Sequence, residues 1–566
     1  MAGQRGPETV VVTGGAIGIG AAIAEEFGRR GAYVVTLDPM VALDGSPQGR
    51  ADAEPTTAER IVAAGGRARA SNTSVTDAPA VAALFAELVA EFGALDAVVN
   101  VAGISRPTGF AFGTEEDWAR VLDVHLVGYL TVLGAALPIM AGQGHGRILG
   151  VTSGSGWRPA DAGAYSCAKR AVAAVTWQVG RVAPAGVSVN ALSPIAATRM
   201  IANALSRQPA GGDGSGKSAA SGGVALAAAP PPEHLGPIGA YLAGPAFAWS
   251  TGQVVFSNGA EVSAVRPPHL IEAVRTTAVP SLPRVVDTAM TVLASAEAAQ
   301  VSNGASVPRL TAAFTADAAG PATEVVARRC LVVTDDPAWR TALEAAATAR
   351  GLAVVHGDAD ATGLAAVTAV VDAAGTGTAP VDAVVVALVG AGATGAGTGG
   401  AGATGAGTGG ADWASVLAGH EGIAGAIQRD ATWVRAVADV SARTEAPMRV
   451  VTVTAATAPG GRSRAMAAAQ LTRSAHSATQ QRVDAFAVAV ESGDPGARGT
   501  TAELVARLVA GTDGAALSGA ELVVDTDWLG LRSHPTVGGT VSYGGPELPD
   551  WLDGAVRRII GGEPAA

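Results

Sequence analysis

Residues 9–20 read TVVVTGGAIGIG, and the reading of this stretch decides the fold. Thr9–Thr13 is a short β-branched run of the kind that forms a buried strand. It leads into glycines at 14, 18 and 20 and then into an apolar-periodic segment, Ile19–Arg30, expected to be a helix. A glycine turn between strand and helix lets backbone N–H groups at the helix N-terminus approach a diphosphate closely. The glycine pattern alone is weak. Its place at the first strand–helix junction of an alternating chain gives it weight.

The alternation continues outward. Strands are expected at Ala32–Leu37, Ala97–Asn100, Arg147–Thr152, Val187–Leu192 and Gly252–Ser257, with helical stretches such as Val81–Phe92 between them. A second series is expected at Cys330–Thr334, Ala353–His356, Ala383–Leu388, Met448–Thr454, Ala485–Val490 and Glu521–Asp525. The spacing WARVLDVH at 118–125 recurs as WASVLAGH at 413–420, in both cases after a strand and a loop and before a long helix. We read two related α/β domains in tandem, each a doubly wound parallel sheet. The expected division is 1–265, a connector 266–325, a second domain 326–532 and a tail 533–566. Residues 207–232 are rich in Gly, Ser, Ala and Pro and read as a surface insertion or a lid over the site. AGATGAGTGG at 391–400 repeats at 401–410 and reads as spacer.

Composition narrows the function. The 566 residues carry a net charge of −11 with no basic stripe, which argues against nucleic-acid binding. Two cysteines cannot form a disulfide framework, so a reducing, cytoplasmic setting is expected. The N-terminal residues lack a signal-peptide core, and the uncharged stretch 383–411 is too rich in Gly and Thr to span a membrane. No membrane partner and no metal are expected.

Three further features carry chemistry. Asp38 ends the expected second strand, eighteen residues after Gly20. A carboxylate there can hold both ribose hydroxyls and repels a 2′-phosphate, which favours NAD over NADP. Asn100, Val101, Ala102 and Gly103 form a small-residue turn after a strand. Tyr165 and Lys169 lie four residues apart, so a helix places them on one face. Lys169 is one of only two lysines in the chain, the other being Lys217. An ammonium beside a phenol is expected to lower its pKa by roughly 1–3 units, toward useful proton transfer.

Together, TGGAIGIG, Asp38, NVAG, Ser153, YSCAK and SPIAAT resemble the short-chain dehydrogenase/reductase family over residues 7–265. LDPMVALDGSP, VHLVG at 124–128 and SPIAATRM are similar to its members acting on 3-hydroxyacyl and 3-oxoacyl thioesters. The resemblance implies that Tyr165 exchanges the proton, Ser153 orients the substrate oxygen, and Lys169 lowers the tyrosine pKa and holds the nicotinamide ribose. It implies a cofactor site of Gly14, Gly18, Ile19, Gly20, Asp38, Ser74, Val75, Asn100, Ala102, Gly103, Tyr165, Lys169, Pro194, Ile195 and Thr198.

The chain departs from the family pattern in places. His125 stands where the family has a catalytic Asn; it either joins a proton relay or packs as a helix histidine. Ser74 stands where an Asp usually meets the adenine. The Ser153–Tyr165 interval is one residue shorter than the commonest spacing, and the shortening is placed after Trp157. Ser155 is the alternative serine.

The second half has lost these features. Its first strand leads into TDDPAWRT without glycine, its serine slot reads Ala455, and Ala465–Leu471 contains neither tyrosine nor lysine. It is expected to serve as an intramolecular pseudo-dimer partner, with a further homodimer left open. The tail (Trp551, Leu552, Ile559, Ile560) either shapes the substrate mouth or docks on a core. The expected function is NAD(H)-dependent interconversion of a secondary alcohol and a ketone, with a 3-hydroxyacyl thioester as the substrate guess. The alternatives are a ketoreductase of specialised, polyketide-type metabolism and a non-enzymatic scaffold.

Overall fold

The computed structural model describes residues 7–47, 55–110, 112–159, 162–200, 202, 229–300, 328–375, 380–389, 412–511 and 513–561. Valine-rich runs buried on both faces build the first sheet. It contains the parallel strands β1 (Thr9–Thr13), β2 (Tyr33–Leu37), β3 (Arg67–Ser71), β4 (Ala97–Asn100), β5 (Gly146–Val151), β6 (Val187–Pro194) and β7 (Val254–Ser257), and the antiparallel β8 (Glu261–Arg266). Its helices are α1 (Gly18–Arg29), α2 (Thr57–Ala63), α3 (Ala78–Phe92), α4 (Glu115–Leu122), α5 (Gly128–Gln143), α6 (Gly163–Arg181) and α7 (Leu235–Leu242). The strand order β3-β2-β1-β4-β5-β6-β7 reverses direction between β1 and β4, where Thr13 lies beside Asn100. In an open α/β sheet, ligands bind at such a switch point.

The chain then crosses over. β9 (Leu270–Arg275) and α8 (Leu282–Ala298) join the second sheet, followed by α9 (Pro337–Ala349), α10 (Leu364–Ala374), α11 (Trp413–Ala418), α12 (Ile423–Thr444), α13 (Pro459–Ala478) and α14 (Pro495–Ala510). Its parallel strands are β10 (Arg329–Thr334), β11 (Ala353–His356), β12 (Ala383–Ala387), β13 (Met448–Ala455), β14 (Val483–Val490) and β15 (Glu521–Val524), with β16 (Trp528–Arg532) antiparallel. The chain finally returns. β17 (Thr536–Ser542) pairs with β8 of the first sheet, and α15 (Leu552–Gly561) packs beside it.

Each half therefore lends its terminal strand to the other. The expected connector 266–325 contains β9 and α8 of the second sheet. The expected tail 533–566 contains β17 and α15 of the first. Neither LIEAVR nor TVGGTVS has the valine run that marked the central strands, so composition did not reveal their destination. β3 was also not foreseen: RARAS has no β-branched residue and lies at the sheet edge, where charge suits the open side. Leu552 is buried in the first half's core with Ile559 and Ile560 packed against it, whereas Trp551 is exposed. Residues 391–410 and most of the 207–232 insertion lie outside the described residues.

One hydrophobic core is common to both halves. It joins Trp118, Leu122, Cys167, Ala171 and Val175 on α4 and α6 to Trp433, Val437, Leu471 and Ala475 on α12 and α13. α6 and α13 are rich in Ala, Ser and Gly on the buried side, which lets two helices lie close. Across this contact Gln178 donates to Ser463 at 2.8 Å, and the hydroxyls of Ser166 and Ser474 lie 3.4 Å apart. The run Glu115–Gln143 is long and apolar enough to cross a membrane by composition, but its buried residues belong to this shared core.

Candidate active site

The glycine turn is built for close approach. Gly14 has φ +62°, and a Cβ there would lie 2.8 Å from the Ala102 backbone. A Cβ on Gly20 would strike the Gly14 carbonyl at 2.1 Å. Gly18, at φ +59°, faces open space. α1 starts there with no capping side chain and no acid in its first turn, so its N–H groups remain available to an anion. Ile19 packs on the core beneath. The Thr13 hydroxyl donates to Asn100 Oδ1 at 2.9 Å and accepts from Ala102 N–H at 3.2 Å, tying the turn to the loop after β4.

Asp38 follows β2. Its carboxylate accepts from Ala16 N–H at 3.4 Å and Met40 N–H at 2.9 Å, which holds it across the glycine turn. Further along the rim, the Ser74 hydroxyl lies 2.8 Å from that of Thr76, and buried Val75 packs where a Gly128 side chain would be. Pro194 ends β6. Ile195 N–H donates to Ser257 at 3.0 Å, and Thr198 closes a tight turn onto Ala196 at 2.9 Å.

Ser153 lies just beyond β5, with its hydroxyl close enough to the Tyr165 phenol to act on its ionisation. Ser155 donates its hydroxyl to Ser153 at 3.1 Å, so Ser153 is the serine that meets the tyrosine. Lys169, one turn along α6, donates from Nζ to the Val151 carbonyl at 2.6 Å, and its Nζ lies 5.7 Å from the Tyr165 ring centre. Thr152 donates to the Lys169 carbonyl at 2.6 Å, locking α6 to the end of β5. The three residues thus come together at the strand ends, beside the glycine turn.

One expectation is corrected. Tyr165 is raised above the ordinary phenol value: burial raises it, and the Ser153 hydroxyl offsets this only in part. Lys169 is pulled down to about 7 by its own burial, so near neutrality it is only partly charged. Its Nζ is also directed at a backbone carbonyl. Spacing on a helix established the shared face but not the desolvation of both groups.

His125 sits in a π-helical turn, Asp123–Val127, between α4 and α5. Such turns often mark functional sites. Its ring stands edge-on to Tyr165 with centres 5.0 Å apart. Nε2 lies 2.9 Å from the Ile104 carbonyl and 3.2 Å from its N–H. Burial, with the nearby Lys169 charge, lowers its pKa to about 3, so the ring is neutral. A Cβ on Gly103 would meet the ring at 2.4 Å, which is why this position has no side chain.

Among the described residues of the second half, the positions that correspond to the glycine turn and the serine are filled differently. The Asp336 carboxylate caps α9, accepting from Ala338 N–H at 2.7 Å and Trp339 N–H at 3.2 Å, and so fills the place that α1 leaves open. β13 ends in Ala455 at the serine position. Instead, the second half reaches into the first. Gln470 donates from Nε2 to the carbonyls of Ser155 at 3.0 Å and Arg158 at 2.9 Å. Arg435 lies 5.0 Å over the Trp118 ring and donates to the Gly113 carbonyl. Gln428 donates to the Glu115 carbonyl at 3.2 Å. Reading the halves separately missed these residues, because no local motif marks a contact more than three hundred positions away.

Comparison with known proteins agrees with this geometry. Residues 8–209 match the short chain dehydrogenase family. The short-chain reductase protein NovJ of Streptomyces niveus is 35% identical over 251 residues, which is 44% of this chain and 92% of that protein. The hydroxyacyl-CoA dehydrogenase ChsB1 of Mycobacterium tuberculosis is 31% identical over 276 residues, covering 46% of this chain and 81% of its own. A solved short chain dehydrogenase from Mycobacterium avium is 30% identical, covering 48% of this chain and 89% of its own, with a TM-score of 0.39. The chain is an oxidoreductase of the short-chain dehydrogenase/reductase family, whose members use nicotinamide cofactors on hydroxyl and keto groups.

Proposed function

We propose that the first half is an NAD(H)-dependent oxidoreductase interconverting a secondary alcohol and a ketone, and that the second half acts as its fused structural partner. The carrying observation is the Ser153–Tyr165 contact with Lys169 one turn behind it, beside an uncapped glycine turn. A nicotinamide dinucleotide supplies the hydride acceptor or donor. Gly14, Gly18, Gly20, Asp38, Ser74, Val75, Asn100, Ala102, Gly103, Ile195 and Thr198 are the residues that would hold it. Asp38 favours NAD, because a 2′-phosphate would meet its carboxylate.

Ser153 holds the substrate oxygen, and Tyr165 takes its proton in oxidation or gives it in reduction. Lys169 supplies positive charge behind the phenol when protonated. His125 stays neutral, fixes the Ile104 backbone and supports the Tyr165 ring. Similarity to the hydroxyacyl-CoA dehydrogenase favours a 3-hydroxyacyl thioester as substrate. A second reading, ketone reduction in specialised metabolism, is favoured by the raised Tyr165 pKa, which keeps the phenol protonated at neutral pH, and by similarity to a short-chain reductase.

The reading is tested with the full chain against a panel of secondary alcohols and hydroxyacyl thioesters, following NADH absorbance, with calorimetry for cofactor. It requires one NAD bound per chain and tighter binding of NAD than of NADP. Two sites, or no turnover with any alcohol or ketone, would overturn it.

A further inference from the structure

The loop between Ser153 and α6 carries a cation, Arg158, that has no acidic partner among the described residues. Arg158 is partly buried. Its guanidinium lies against Gly154, where a Cβ would meet Cζ at 3.2 Å and the Nη atoms at 3.3 and 3.5 Å. Position 154 follows Ser153 directly, so the guanidinium lies within roughly 10 Å of the Ser153 hydroxyl.

Other arginines around the site are matched. Arg106 on the facing loop pairs with Asp117 at 3.0 Å and Glu116 at 3.8 Å. Arg170 pairs with Glu521. Arg158 has no acid against it among the described residues, and burial alone acts on its charge, lowering its pKa. Residues 155 and 158 of the loop are held in place: Gln470 donates to both carbonyls from the opposite half. A partly desolvated guanidinium is unfavourable unless an anion completes it.

We propose that Arg158 binds a carboxylate of the substrate itself, close to the carbinol carbon. This rests on the dehydrogenase reading above and narrows its substrate class to hydroxy or keto acids, including acyl groups that carry a second carboxylate. The phosphates of a carrier thioester lie a pantetheine arm away from the reacting carbon, too far for this residue.

The test compares 3-hydroxybutyrate and 3-hydroxycyclohexanecarboxylate, each against its methyl ester, in wild type, Arg158→Met and Arg158→Lys. In Arg158→Met, kcat/KM for the acids falls about 10- to 100-fold through KM, as expected for a lost charged hydrogen bond. The esters change less than about threefold, and Arg158→Lys recovers part of the loss, since it restores charge but not the planar fork. Equal losses for acid and ester, or a wild type that prefers the ester, overturn the proposal while leaving the dehydrogenase reading intact. Absence of turnover with every alcohol counts against the underlying reading. The contact is then tested by calorimetric titration of acetoacetate into the NADH-saturated chain. Binding lost in Arg158→Met supports the proposal, and equal binding, or none to either protein, overturns it.

Discussion

Arg170 directly follows Lys169 and reaches across the interface to Glu521 of the second sheet. Both are buried, at 1% and 8% exposure. Replacing Arg170 with Met leaves the carboxylate without its main partner, and breaking a buried pair in this way costs about 3–5 kcal/mol. Two considerations reduce that figure. Arg170 Nε and Nη1 have no hydrogen-bond partner among the described residues, and removing two such groups returns about 1 kcal/mol each. His534 also lies 3.4 Å from Glu521 and 2.6 Å from Glu297. Burial opposes the histidine's charge, but those two carboxylates outweigh it and its pKa is raised. Stability from His534 is therefore complete below its unfolded value of about 6.5 and is lost as pH rises through the folded value. The variant should lose about 2 kcal/mol at pH 8 and less at pH 6, where the imidazolium still faces Glu521. Urea unfolding at the two pH values measures this. A loss below about 0.5 kcal/mol at pH 8, or a larger loss at pH 6 than at pH 8, would refute the reasoning.

Other consequences are equally direct. Gln470→Ala removes both amide hydrogen bonds to the Ser155–Arg158 loop. It should lower stability by about 1–3 kcal/mol and raise substrate KM, with NAD affinity unchanged, as read by steady-state kinetics and calorimetry. Gly103→Ala forces a methyl into the His125 ring, 2.4 Å away, and should destabilise by about 1–3 kcal/mol in urea unfolding while weakening turnover. Without cofactor, the raised Tyr165 phenol should ionise at higher pH than an ordinary exposed tyrosine, read from the pH dependence of the ultraviolet difference between wild type and Tyr165→Phe; ionisation below the ordinary phenol range would contradict this.

The parallel strands other than the edge strand β3 were legible because central strands, buried on both faces, need valine runs. The Ser153, Tyr165 and Lys169 cluster was legible because one helical turn and one strand end fix their neighbourhood. What could not be read was what the opposite half supplies. β9 and β17 carry no local signal of which sheet they complete. Gln470 lies on a helix of mostly small and polar residues, with Met466 and Leu471, that carries no motif pointing to the opposite half. The electrostatics of Tyr165 and Lys169 were also misjudged. Their desolvation comes from packing around the site, and spacing along one helix is silent about it.

Tyr165→Phe in the full chain addresses the core of the account. It removes one oxygen and leaves the glycine turn, Asp38 and Lys169 in place. Calorimetry should still find one NAD bound per chain at near wild-type affinity, while alcohol oxidation and ketone reduction fall by at least about a thousandfold. Turnover within tenfold of wild type would show that the proton moves elsewhere.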